Sequence, residues 1–137
     1  GCGSGRLTNF LSDKTKAKVC GYEINKDSYQ IANQNKNQDV TIINRNILDI
    51  DFETLNAECF IFNGPLYKTE HRPDFEKLMN KIHESMQKKQ KKYYIICVNL
   101  DEDKRHKAED FNYVFQKKNL SKVVTAGPNK RIKFFEY

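Results

Sequence analysis

No run of apolar residues in this sequence approaches the roughly 20 that a membrane-spanning helix needs, which excludes a helical membrane protein. Tryptophan is absent. Nine Phe and seven Tyr, within 38% hydrophobic residues, still supply one core, so wholesale disorder is excluded as well. No two of the four cysteines, Cys2, Cys20, Cys59 and Cys97, have the Cys-x-x-Cys spacing of a zinc or redox site, and no metal is expected. Three of them lie inside the apolar runs 18–22, 58–62 and 95–99 and read as buried thiols of a cytoplasmic protein. Gly1 opens on small residues rather than a basic stretch followed by an apolar one, so no secretory leader is expected. There is no internal repeat and no linker, and 137 residues predict a single domain over 1–137. Negative charge is the scarcer sign. Eighteen Asp and Glu stand against 24 Lys and Arg, a formal net charge of +6, which favours an acidic partner, nucleic acid first.

Short β-rich runs alternate with helical patterns along the chain. Strands are expected at Lys18 to Glu23, Val40 to Asn44, Glu58 to Asn63, Tyr93 to Asn99, Val123 to Thr125 and Arg131 to Tyr137. Their near-continuous apolar blocks suit strands covered on both faces. Leu7, Phe10 and Leu11 fall at helical spacing. Asp27 or Ser28 can cap a helix through Ala32. Phe75, Leu78, Met79, Ile82 and Met86 form the clearest stripe, with Pro73 near its first turn, and Phe111, Val114 and Phe115 mark a shorter helix. Lys88, Lys89, Lys91 and Lys92 close the long helix, either as a solvated end complementing the helix dipole or as a phosphate-contacting patch. His83 and His106 fall among charged residues and read as exposed. This alternation predicts an α/β fold with a mostly parallel sheet and flanking helices. The last two strands are joined by a turn too short for a parallel crossover and should form an antiparallel hairpin.

The chain begins Gly1-Cys2-Gly3-Ser4-Gly5 and runs into the first helix. Glycines at such a place let the backbone turn tightly and let a ligand approach the main chain. Glu23 ends the run Val19-Cys20-Gly21-Tyr22, 18 residues past Gly5. In nucleotide-binding βαβ units an acid there accepts hydrogen bonds from ribose hydroxyls, and its two oxygens suit a vicinal diol. An NAD-binding domain would share these two features.

Together with the segments that follow, this pattern resembles the class I S-adenosylmethionine-dependent methyltransferases, of the amino-methylating Asn-x-Pro type, over nearly the whole chain. The resemblance implies a Rossmann-like sheet ending in an antiparallel hairpin, with S-adenosylmethionine as cofactor. Gly1, Gly3 and Gly5 would line its methionine part and Glu23 its ribose. Asn46 would accept from the adenine amino group, where the family usually has Asp, and Ile47 would pack on the ring.

Asn63-Gly64-Pro65-Leu66-Tyr67 follows a strand directly, where open α/β sheets place their ligands. It is similar to the Asn-x-Pro-Tyr motif of enzymes that methylate planar nitrogens, in adenine N6 of nucleic acid or in protein amides. Such a nitrogen has its lone pair delocalised. Acceptors from the Asn side chain and the following main chain would hold its N–H groups and aim the lone pair at the methyl, without a strong base. The resemblance thus assigns Asn63, Gly64 and Pro65 to the target nitrogen. Tyr67 would stack on a base flipped from its helix, although Leu66 occupies the usual aromatic position. Lys68, His71 and Arg72 lie near the expected mouth as solvated loop residues able to meet phosphates.

The family places a strand and its leading helix before the glycines, so the chain reads as N-terminally truncated. It is then a piece of a longer polypeptide, or takes the strand from a partner or second copy, or is a rearranged remnant. Two functions follow from different classes. One is methyl transfer to an amino or amide nitrogen, in nucleic acid first and in a protein amide second. The other is a non-catalytic methyltransferase-like module that binds nucleic acid or a partner protein.

Overall fold

The computed structural model describes residues 1–63, 72–98, 122–126 and 132–137. They fall into two compact units, Gly1–Ile50 and Asp51–Tyr137. The first contains α1 (Arg6–Thr15), β1 (Val19–Glu23), α2 (Lys26–Gln34), β2 (Val40–Asn44) and a single 3-10 turn, Ile47–Asp49. β1 and β2 pair in parallel, with Val19 opposite Val40 and Glu23 opposite Asn44, and α2 makes the crossover. Ala32, Val40 and Ile42 form the buried centre, joined by half-buried Val19, Tyr29 and Cys2.

The helix α2 begins earlier than Asp27 or Ser28. Asn25 is its cap, and its Oδ1 accepts from the Ser28 N–H at 2.9 Å. In α1 the helix lies where Leu7, Phe10 and Leu11 predict it, but a different face is buried. Thr8 and Ser12 are buried, Leu7 and Leu11 are half-buried, and Phe10 is exposed. Gly5, Thr8 and Ser12 recur at helical spacing, and these small residues let α1 approach the unit closely. A Cβ on Gly5 would lie 3.1 Å from that of Ala32. The helix ends on Lys16, whose backbone is left-handed (φ 58°).

The second unit contains β3 (Cys59–Asn63), α3 (Arg72–Lys88), β4 (Tyr94–Val98), β5 (Lys122–Ala126) and β6 (Ile132–Glu136). Its sheet has the order β3-β4-β6-β5. β3 and β4 are parallel, and β6 runs antiparallel to both β4 and β5, which is the expected terminal hairpin. Register aligns Phe60, Ile95 and Phe135 in one row across three strands, and all three are buried. The α3 stripe behaves as its periodicity requires. Phe75, Leu78, Met79, Ile82 and Met86 are all at most 2% exposed. Burying each contributes about 1.5–3 kcal/mol as an upper bound. Phe75 meets Phe62 of β3 edge-on, with centroids 5.8 Å apart.

His83 belongs to that stripe, four residues after Met79 and three before Met86. It is 1% exposed, which corrects the reading as a surface residue. Its Nδ1 hydrogen-bonds the Tyr93 hydroxyl, and its ring packs on Tyr137, which stacks on Tyr93. Burial pushes the Tyr93 phenol well above its ordinary range. The helix closes with Gln90 in left-handed backbone (φ 52°), while Lys91 N–H reaches Met86 O and Gln90 N–H reaches Gln87 O.

Three of the four lysines that close α3 have partners within the same unit. Lys89 donates to the carbonyls of Phe52 and Leu55, Lys88 pairs with Glu53, and Lys91 donates to Asn56 Oδ1. They tie the segment entering β3 to the end of α3. Two thiols also depart from expectation: Cys20 and Cys59 are exposed and Cys2 is half-buried. The helix expected at Phe111 to Phe115 lies outside the described residues, as does His106. Among the described residues no helix is long and apolar enough to cross a membrane.

Candidate cofactor site

The carboxyl ends of β1 and β2 gather most of the residues singled out in the first unit. The glycine loop is held in place from β1. The N–H groups of Gly1 and Cys2 both donate to Tyr22 O, at 2.7 and 2.9 Å. Gly5 N–H closes a turn onto Cys2 O at 3.1 Å. Gly3 and Gly5 have φ of 55° and 78°, a region that side chains strain to enter, so glycine is required at both. Gly5 is the N-cap of α1 and offers no side-chain acceptor to its first turn. A Cβ built on Gly1 or Gly3 would meet nothing within 4 Å, so the loop backbone is open to a ligand.

Glu23 is the anchor. It is 6% exposed, and both oxygens take backbone donors: Oε2 from Gly3 N–H at 2.7 Å and Oε1 from Asn25 N–H at 2.8 Å. One carboxylate therefore fixes the glycine loop and the entry to α2. A carboxylate has about four acceptor positions, so one lone pair on each oxygen is left for a ligand's donors. The turn after β1 is braced from β2, with Asn44 Nδ2 donating to Glu23 O at 2.7 Å and Arg45 N–H to the same oxygen at 3.1 Å.

Asn46 and Ile47 follow β2 at the same end and are half-buried. Asn46 caps the 3-10 turn, its Oδ1 accepting from Leu48 N–H at 3.0 Å. The amide oxygen assigned to an adenine amino group is thus already half-used by its own chain. Ile24 was passed over in the sequence. It follows Glu23 directly and is 65% exposed, a large apolar side chain turned to solvent at the rim of this cradle. The available signal was a bulky aliphatic residue immediately after a strand-ending acid. Tyr22, just before it, has its phenol pushed up to about 12 by desolvation and by its hydrogen bond with Cys20.

Of the residues assigned to the target nitrogen, Asn63 is the last residue of β3, at the carboxyl end of that strand and in register with Val98. Gly64, Pro65 and Tyr67 lie outside the described residues, as do Leu66, Lys68 and His71.

The family model described as "Methyltransferase domain" matches residues 1–129. Among curated proteins, the chain is 43% identical over 70 residues to ribosomal RNA small subunit methyltransferase A of Mesomycoplasma hyopneumoniae strain 232. That match takes in 50% of this chain and 27% of the relative, so it spans about a quarter of the relative's length. Among solved structures, a TehB-like SAM-dependent methyltransferase from Corynebacterium glutamicum superposes with a TM-score of 0.69 at 14% identity, over 99% of this chain and 75% of that one. Human N-acetylserotonin methyltransferase, solved with SAM, gives 0.67 at 13% identity, over 99% and 45%. Identities this low show a shared Rossmann-like fold. The match over nearly the whole length settles the family: the chain belongs to the methyltransferase domain family, whose cofactor is S-adenosylmethionine.

Proposed function

We propose that residues 1–137 act as one methyltransferase domain, transferring a methyl group to an amino or amide nitrogen, with ribosomal RNA as the first substrate to test. The observation that carries the cofactor half is the Glu23 clamp. A buried carboxylate that aligns an open glycine loop, and keeps one lone pair on each oxygen, suits a ribose diol. The uncapped first turn of α1 suits the carboxylate of the cofactor's amino-acid part. Ile24 and Ile47 offer apolar surface to a planar ring, and Asn46 keeps its Nδ2 donors and a second lone pair on its oxygen for the ring's edge.

When bound, the cofactor supplies an electrophilic methyl on a sulfonium sulfur. In this reading Asn63, Gly64 and Pro65 hold the N–H groups of the target and leave its lone pair free to take a methyl, and one nitrogen proton leaves to solvent. Tyr67 stacks on the base. The target half rests on the Asn63 motif, on the net positive charge and on the name of the curated relative, which specifies ribosomal RNA. The test is transfer of labelled methyl from S-adenosylmethionine to small-subunit ribosomal RNA, with a protein amide as second substrate. Asn63→Ala should lose turnover while keeping cofactor affinity. Equal turnover by both proteins would remove Asn63 from the mechanism, and absence of transfer to either substrate would favour the non-catalytic module.

A further inference from the structure

α1 carries an outward stripe that the cofactor cradle does not use. Arg6, Phe10 and Lys14 are spaced four residues apart and so share one face of the helix. All three are exposed, Phe10 by 55%, and Lys14 Nζ stands 6.0 Å from the centre of the Phe10 ring. Lys16 and Lys18 follow the helix in sequence and are exposed as well. They stand on a braced turn. Lys16 N–H donates to Ser12 O at 2.8 Å and Ser12 Oγ to Ala17 O at 3.2 Å. Thr15 Oγ1 donates to Leu11 O at 2.7 Å and accepts from Ala17 N–H at 3.2 Å. Among the described residues none of these four cations has an ion pair. The one acid of α1, Asp13, already accepts from Asn37 Nδ2 at 2.8 Å.

Four exposed cations on and just after a helix that also exposes one aromatic ring match a polyanion that also offers flat faces. An anionic lipid surface would call for several exposed apolar side chains on the helix, and this stripe has one. We infer that the Arg6–Phe10–Lys14 stripe, continued by Lys16 and Lys18, is a docking surface for single-stranded nucleic acid. The cations contact successive phosphates and Phe10 stacks on an unpaired base. The inference rests on the nucleic-acid reading above and names a surface for it, of which Phe10, Lys14, Lys16 and Lys18 have no part in holding cofactor or target nitrogen.

The test is fluorescence anisotropy of a labelled 12-nucleotide RNA of mixed sequence, and of the matching DNA, titrated with the full chain at several salt concentrations without cofactor. The K14Q/K16Q/K18Q variant should bind at least about tenfold more weakly. Its salt slope should fall by about 2, because each single-strand phosphate contact contributes roughly 0.7. Phe10→Ala should weaken binding about tenfold with the slope unchanged. The variant K36Q/K77Q/K92Q removes the same charge from other exposed positions and should bind like the parent. Circular dichroism checks that each variant is folded. Tighter binding of RNA than DNA assigns a role to the 2′-hydroxyl; equal binding assigns backbone and base alone, and both outcomes support the surface. An unchanged salt slope in the first variant, or equal weakening in the charge-matched one, would overturn it. Binding that survives while methyl transfer is absent would remove the proposed function and leave this surface standing.

Discussion

Replacing Glu23 by Gln probes the centre of the cofactor site while nearly preserving shape. The carboxylate accepts two backbone N–H bonds, from Gly3 at 2.7 Å and Asn25 at 2.8 Å, in a residue 6% exposed. Hydrogen bonds to a charged group each contribute about 1.5–3 kcal/mol. Gln keeps one acceptor oxygen and turns an NH2 group toward the other N–H, so one bond becomes a donor–donor contact and the other loses its charge. Asn25 is an exposed residue and its N–H bond is only part-buried, so water recovers part of the loss and leaves a destabilisation of about 2–3 kcal/mol. For a chain of this size that lowers Tm by roughly 6–12 °C. The loop it aligns is the proposed cofactor seat, and the two ribose bonds would lose the charged acceptor. Affinity for S-adenosylmethionine should therefore fall by about 100-fold, equivalent to about 2.8 kcal/mol. Thermal denaturation followed by circular dichroism reads the first quantity, and calorimetric titration with S-adenosylmethionine and its demethylated product reads the second. A folded Glu23→Gln protein with unchanged Tm and unchanged affinity would refute both the clamp and the seat.

Other consequences are equally direct. Gly21→Ala would put a Cβ 2.9 Å from Cys2 Sγ and 3.1 Å from Ile42 Cδ1, so it should destabilise by about 1–3 kcal/mol; Cys2→Gly should recover much of that in a denaturant double-mutant cycle. Gln90→Gly relieves a left-handed residue at the end of α3 and should raise stability by about 0.5–1 kcal/mol in urea unfolding. Lys89→Met removes the donor to Phe52 O and Leu55 O and should cost about 1–3 kcal/mol, read by the same assay and together with faster amide exchange at 52–56. The Tyr22 phenol, held up to about 12 in the folded chain against 10.0 for the free side chain, keeps its proton where the unfolded chain gives its own up. Stability should therefore fall between about pH 10 and pH 12, and ultraviolet titration of Tyr22→Phe against the parent should remove one late-ionising tyrosine.

Much of the architecture was legible because periodicity is local. The α3 stripe is set by five apolar residues at helical spacing, and all five are buried. The strand runs lie within a residue or two of the observed ones, and a short connection forced the last pair to be antiparallel. The glycine loop and Glu23 were legible as a pair because main-chain turns and ligand acceptors demand particular residue types. Where spacing and chemistry pulled apart, the sequence misled. His83 looked exposed among charged neighbours, yet its position on the stripe buried it against Tyr93 and Tyr137.

By itself the sequence determined the strand runs, the parallel pairing of β1 with β2 and of β3 with β4, the antiparallel hairpin at the end, the family and the chemistry available at the ends of β1 and β2. Tertiary structure alone decided which faces are covered. Thr8 and Ser12 turn inward on α1 because small side chains permit close approach, leaving Phe10 outside beside Lys14. Cys20 and Cys59 are exposed although each lies in an apolar run of the sequence. Lys88, Lys89 and Lys91 bind the segment before β3, residues more than 30 positions away. Such partners are set by where the chain returns in space. Residue spacing carries no record of that, whereas turns, caps and stripes are written within a few residues of one another.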